Sequence, residues 1–254
     1  MTSNNLTALV GKVVVIAGGC GQIGYATAKR FANQGCCVVA LVRRDIDRAN
    51  AMMSALPNTE LGHFAILASI INTTALQSAV KEVESRTGRC DILVNAAGTL
   101  DPIPPSNLSA LTDEIFDEIV TTNLRGVYAT IREFSRLLQA SGNGLIVNVS
   151  SQSGQRASNS CVAYAASKAG LDLMTKTLAK SLAPSIRVVG IAPGYLENPT
   201  SGITRIISNE VLAAEAPLNA LASGDDIARA IEAFATMLTH ATGTTLLLDG
   251  GRLL

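Results

Sequence analysis

The chain has 254 residues, is 48% apolar, and carries 20 basic and 20 acidic side chains. That length and apolar content support one sizeable core, so residues 1–254 are read as a single domain. Scattered, balanced charge argues against nucleic-acid or membrane-surface partners, and no apolar run reaches the roughly 18 residues of a membrane span. The five cysteines and two distant histidines, His63 and His240, suit neither a disulfide framework nor a metal site. No signal-peptide pattern opens the sequence, and a cytoplasmic protein with buried free thiols is expected.

The elements follow in chain order. Residues 12–17 (KVVVIA) read as a buried strand, and 23–34 as a helix stopped by Gly35. Residues 38–42 (VVALV) are a second strand and 63–67 a weaker third. A helix over 74–87 ends at Gly88, and 91–94 (DILV) is the fourth strand. Helical periodicity runs through 112–138 with a break near Asn123. Residues 145–149 (LIVNV) are the fifth strand, 162–182 a long helix closed by Pro184, and 187–191 (RVVGI) the sixth strand. A helix over 225–238 and a seventh strand over 245–248 complete the pattern. Strands alternating with crossover helices imply an α/β fold: a Rossmann-like, doubly wound parallel sheet of about seven strands with helices on both faces. The polar stretch 195–223, with Pro199 and Pro217, interrupts the alternation and is expected to be a substrate-loop lid.

In such sheets ligands sit beyond the carboxyl ends of the strands. Glycine-bearing turns follow strands one, four and six, and Ser150-Ser151 follows strand five. The first turn fits Gly19-x-Gly21-x-x-Gly24 or Gly18-x-x-Gly21-x-x-Gly24. Small residues there let backbone approach a pyrophosphate, and the helix N-terminus adds free N–H groups and a positive dipole. Tyr164 and Lys168 share one helix face. A free phenol has a pKa of about 10, and a nearby cation favours the phenolate. A tyrosine lowered in this way can exchange a proton with a carbonyl or an alcohol. A surface Tyr/Lys pair is the plainer alternative.

Taken together, these residues resemble the classical branch of the short-chain dehydrogenase/reductase family, with the general layout of its 3-oxoacyl-carrier-protein reductases. The resemblance rests on Gly11-Lys12, the glycine turn, Asp91-Ile-Leu-Val-Asn-Ala-Ala-Gly98, Asn123-Leu-x-Gly126, Val147-Asn-Val-Ser-Ser151, Tyr164-x-x-x-Lys168, Pro193-Gly194 and Asp249-Gly-Gly251. It implies that Tyr164 is the general acid/base and that Lys168 lowers its pKa and binds the nicotinamide ribose. Ser151, preferred to Ser150, would hold the substrate oxygen, and Asn123 would anchor a relay water. Gly18, Cys20, Gly21, Gln22, Ile23 and Gly24 would form the pyrophosphate turn. Ser69 and Ile70 fall near adenine, and Asn95, Ala96, Ala97 and Gly98 on the adenosine side. Pro193, Gly194 and the Leu196 backbone would bracket the nicotinamide carboxamide. The sequence departs from the family pattern at Ala17, for threonine, at Gln22, for the middle glycine, and at Ser69, for aspartate. Asn95-Ala96 stands for Asn-Asn, and Asn198 lies near a usual threonine. Gln22 is expected to begin the helix and offer its N–H to phosphate, with its side chain turned aside.

At the end of strand two, Val42 occupies the position of the discriminating carboxylate, followed by Arg43 and Arg44. This favours NADP(H), while Asp45 keeps NAD(H) open. The expected protein is an oxidoreductase acting on a small-molecule carbonyl or secondary alcohol. By resemblance it is a homotetramer, its long helix packing against a second subunit. A catalytically silent nicotinamide-binding protein, or an epimerase or dehydratase on the same scaffold, are the alternatives.

Overall fold

Runs such as VVVIA and IRVVGIAP have no polar face, and the fold gives them none. In the computed structural model, which describes residues 9–157, 160–197 and 207–254, they lie inside a seven-stranded sheet covered on both sides. The strands are β1 (Val13–Ala17), β2 (Cys37–Val42), β3 (Phe64–Leu67), β4 (Ile92–Asn95), β5 (Gly144–Val149), β6 (Ile186–Pro193) and β7 (Thr245–Leu248). All pairings are parallel, in the order β3-β2-β1-β4-β5-β6-β7. The winding reverses between β1 and β4, and that is where an open sheet of this kind forms its crevice.

Side-chain alternation along each strand feeds two cores. Val13 and Val15 of β1 face one side and Val14 and Ile16 the other. The first side is closed by α3 (Thr73–Thr87), α5 (Val127–Ala140) and α6 (Val162–Leu182). The second is closed by α1 (Gln22–Asn33), α2 (Ile46–Ser54) and α8 (Gly224–Thr236). Helix α1 shows why it docks: it buries Gly24, Thr27, Ala28, Phe31 and Ala32, a stripe at helical spacing.

Three features refine or extend the sequence reading. Helix α2 was not expected; Asp45 caps it at φ 56°, accepting from the Arg48 N–H at 3.0 Å. The stretch 112–138 is two helices, α4 (Asp113–Val120) and α5, joined by a π-helical turn over Thr121–Gly126 that contains Asn123. In the stretch 195–223, a short helix α7 (Asn209–Ala214) forms, while 198–206, including Asn198 and Pro199, lie outside the described residues. Of the five cysteines, all free, Cys36, Cys90 and Cys161 are buried, whereas Cys20 and Cys37 are only half-buried. Among the described residues no helix is long and apolar enough to cross a membrane.

Asp91 fastens β4 beside β1. Its buried carboxylate accepts from the Val13 N–H at 2.9 Å, from Lys12 Nζ at 3.1 Å, and from Arg89 at 2.8 and 2.6 Å. Burial pushes its pKa up, but the Arg89, Val13 and Lys12 hydrogen bonds outweigh that and hold it below the usual carboxylate range. A depressed folded pKa means that the stabilisation is present above the unfolded pKa of about 3.9 and is lost as pH falls through the folded value. Asp91→Ala is expected to cost about 1–3 kcal/mol in urea unfolding at pH 7, because the Val13 N–H loses its partner. The gap to the unsubstituted protein should narrow below about pH 4; a gap that is constant with pH would refute the assignment.

Candidate functional site

The turn after β1 brings helix and sheet closer than side chains permit. A Cβ on Gly24 would stand 2.2 Å from the Gly18 carbonyl oxygen, and one on Gly19 2.5 Å from the Ala40 Cβ. Gly18 itself, at φ 82°, would set a Cβ 2.7 Å from the Ala97 nitrogen. No side chain caps α1, whose N-cap is Gly21, so its first N–H groups open outward. They open on a cavity of about 420 Å³ lined by the turn, by Arg43, Ser69 and Ile70 after β2 and β3, and by Ala96, Ala97 and Gly98 after β4. Leu196, after β6, closes the far end. A glycine cradle under an uncapped helix end fits a pyrophosphate, and the cavity runs both ways from it along the sheet edge, as a dinucleotide requires.

Gln22 is the first residue of α1, as expected; it lines the cavity, and its side-chain Nε2 donates to the Glu197 carbonyl. Several anticipated residues sit differently. Asn95 does not line the cavity: its Nδ2 donates to Asn148 Oδ1 at 2.9 Å, and Asn148 Nδ2 donates to Thr175 Oγ1 at 2.9 Å. This buried chain links β4, β5 and α6. Arg44 is exposed and does not line the cavity, whereas Arg43 lines it and lies 3.8 Å from Glu118. The Asp45 carboxylate, considered for a ribose, is engaged as the α2 cap. Arg48, in the first turn of α2, lines the cavity and was missed together with its helix; an Asp45 N-cap was the signal for both. Cys20 lies on the cavity, and burial pushes its thiol pKa up despite the nearby Arg48.

A second cluster stands beyond β5. The Ser150 hydroxyl donates to the Lys168 carbonyl at 3.3 Å, which leaves Ser151 as the serine on the Tyr164 phenol. Lys168 Nζ donates to the Val149 carbonyl at 2.8 Å and lies 5.6 Å from the Tyr164 ring centre. Gly98 joins the cluster to the cavity: a Cβ there would lie 3.7 Å from Lys168 Nζ and 3.2 Å from Asn123 Oδ1. Asn123 clamps the same turn, accepting from the Thr99 N–H at 2.8 Å and donating to the Thr99 carbonyl at 2.9 Å and to Ser167 Oγ at 3.2 Å. Pro193 and Gly194 do not line the cavity; Gly194 packs against Asp249, and the Gln152 Oε1 atom is buried beside it without a partner.

The charges differ from the simple picture of a lysine-lowered phenol. Burial raises the Tyr164 pKa above its ordinary value, opposed by the Ser151 hydroxyl, and the Lys168 cation is not among the influences on it. Burial likewise pushes Lys168 down to about 8, opposed by Asp172. Desolvation is the largest influence on both groups, and Nζ is turned to the Val149 carbonyl. In this state the phenol keeps its proton at neutral pH.

The short chain dehydrogenase family model matches residues 12–210. The chain is similar to the 3-oxoacyl-(acyl-carrier-protein) reductase FabG of Thermotoga maritima, with 32% identity over 96% of this chain and 98% of that one. It also superposes on a dehydrogenase/reductase from Sinorhizobium meliloti with a TM-score of 0.88 and 30% identity, covering 98% of both chains. A short chain dehydrogenase from Bacillus anthracis gives a TM-score of 0.88 at 26% identity, covering 97% of this chain and 98% of that one. With this sheet order, this glycine turn and these relatives, the chain belongs to the short chain dehydrogenase family, as an oxidoreductase that interconverts alcohol and carbonyl with a nicotinamide cofactor.

Proposed function

We propose that the protein is an NADP(H)-dependent carbonyl reductase with Tyr164 as its general acid/base. The observation that carries this reading is the Ser151–Tyr164–Lys168 cluster, set against the same Gly98 turn that walls the cofactor cavity. When bound, the nicotinamide supplies the hydride that reduces the carbonyl carbon. Ser151 holds the carbonyl oxygen, and Tyr164 Oη delivers the proton that completes the alcohol. A phenol that is protonated at neutral pH is already in the donating form. Lys168 holds the nicotinamide ribose and replenishes the phenol. Asn123 fixes the Gly98–Thr99 turn, and its remaining Oδ1 lone pair is the place for a relay water.

Arg43 and Arg48 support the preference for a 2′-phosphate: both line the cavity, β2 ends on Val42 and not on a carboxylate, and the Asp45 carboxylate is engaged elsewhere. The similarity to a 3-oxoacyl reductase makes a 3-oxoacyl thioester the first substrate class to test. A homotetramer fits the apolar side chains left exposed on α5 and α6, among them Tyr128 and Leu173; gel filtration showing only monomer at micromolar concentration would exclude it.

Tyr164→Phe should lower kcat by about 10²–10⁴-fold while leaving NADPH binding intact; retained turnover would remove the phenol from its role. In the unsubstituted protein, kcat/KM for reduction should fall as pH rises through about 8, where free Lys168 loses its proton. Arg48→Ala should weaken NADPH about tenfold, the lower end for a charged hydrogen bond, and leave NADH unchanged in calorimetric titration. Equal loss for both cofactors would refute a 2′-phosphate contact.

A further inference from the structure

Gln22 stands at the position of the middle glycine in the family pattern that the turn resembles, and its side chain makes a contact that a glycine could not. Its Nε2 donates to the Glu197 carbonyl at 2.6 Å. The two residues belong to well-separated strand ends: Gln22 opens the helix after β1, and Glu197 follows β6, with β4 and β5 between those strands. The chain leaving β6 therefore folds back over the strand ends to reach the pyrophosphate turn.

Both ends of this tie are held. The Glu197 N–H donates to the Ala222 carbonyl at 3.0 Å, and Leu196 pairs with Ala222 in an isolated parallel bridge. Ala222 leads into the Ser223–Asp226 capping box that starts α8. The first residue of that helix, Gly224, lies so close to Gln22 that a Cβ would stand 2.8 Å from the Gln22 carbonyl oxygen and 3.2 Å from its Cγ. The stem of Gln22 is thus gripped by α8 while its amide grips Glu197. The residue between the grips, Leu196, is the part of this segment that lines the cofactor cavity.

We infer that Gln22 is a positioning residue: its carboxamide sets the Leu196 wall of the cavity, on the side beyond β6, and so orients the nicotinamide half of the cofactor. Its backbone N–H serves the pyrophosphate separately. The inference rests on the nicotinamide reading proposed above. It assigns the side chain and the backbone of one residue to two parts of one ligand, and these parts can be tested apart.

The test compares NADPH with its nicotinamide-free fragment, 2′-phospho-ADP-ribose, by calorimetric titration of the full chain. Gln22→Met keeps the volume against Gly224 and removes the donor; Gln22→Ala serves if the first variant unfolds. Thermal unfolding checks that each variant is folded. The expected result is NADPH binding weakened about threefold to tenfold, the size of one net hydrogen bond. Fragment binding should stay unchanged, and the KM for NADPH should rise more than kcat falls. Equal weakening of both ligands, or of neither, would overturn the positioning role and leave the cofactor reading standing. Failure of the unsubstituted protein to bind either ligand would overturn the cofactor reading, and this inference with it.

Discussion

The site depends first on a contact in which two glycines meet. Gly24, one turn into α1, lies against the Gly18 carbonyl with no room for a methyl group. That approach draws the helix end down onto the strand, so its unpaired N–H groups face the crevice and not open solvent. Gly18 and Gly19 extend the same closeness to the turn after β4, through Ala97, and to β2, through Ala40. A single methyl group at any of these positions would lift α1 away from the sheet and shift the cavity walls on both sides. Glycine therefore acts here by absence of volume more than by flexibility, although Gly18 also needs its positive φ.

Much of this was legible in the sequence, for identifiable reasons. Fully buried parallel strands advertise themselves as unbroken apolar runs, so β1, β2, β5 and β6 were found with only end residues shifted. Helix α6 was read at its full length because its apolar residues recur without interruption. Short α2 carries only nine residues and two buried side chains, too weak a period to register without its cap, and Arg48 went with it. The π turn at Thr121–Gly126 was visible only as a break, since one extra residue in a turn leaves no compositional mark. Asn95 was placed correctly in the chain and wrongly on the cavity: alternation along β4 turns its side chain to Asn148.

The electrostatics could not have been read from spacing at all. An i, i+4 pair predicts that Tyr164 and Lys168 share a face, and they do. It does not predict how deeply each is buried. Burial moves the two groups in opposite directions, phenol up and ammonium down, and so favours the neutral form of both. A charge arriving beside them finds little water to screen it, so its influence on both protons is stronger than it would be at the surface.

The buried chain Asn95–Asn148–Thr175 has a consequence for how this scaffold tolerates change. Apolar packing of α6 on the sheet would allow the helix to slide or rotate a little at small cost. A directional hydrogen bond from Asn148 to Thr175, with Asn148 itself held by Asn95, does not. Thr175 and Tyr164 lie about three turns apart on that same rigid helix. The polar peg therefore indexes the phenol to the sheet from a distance, independently of whatever fills the mouth of the crevice. The segments after β6 can drift in sequence and shape while the Tyr164 phenol stays registered to the strands.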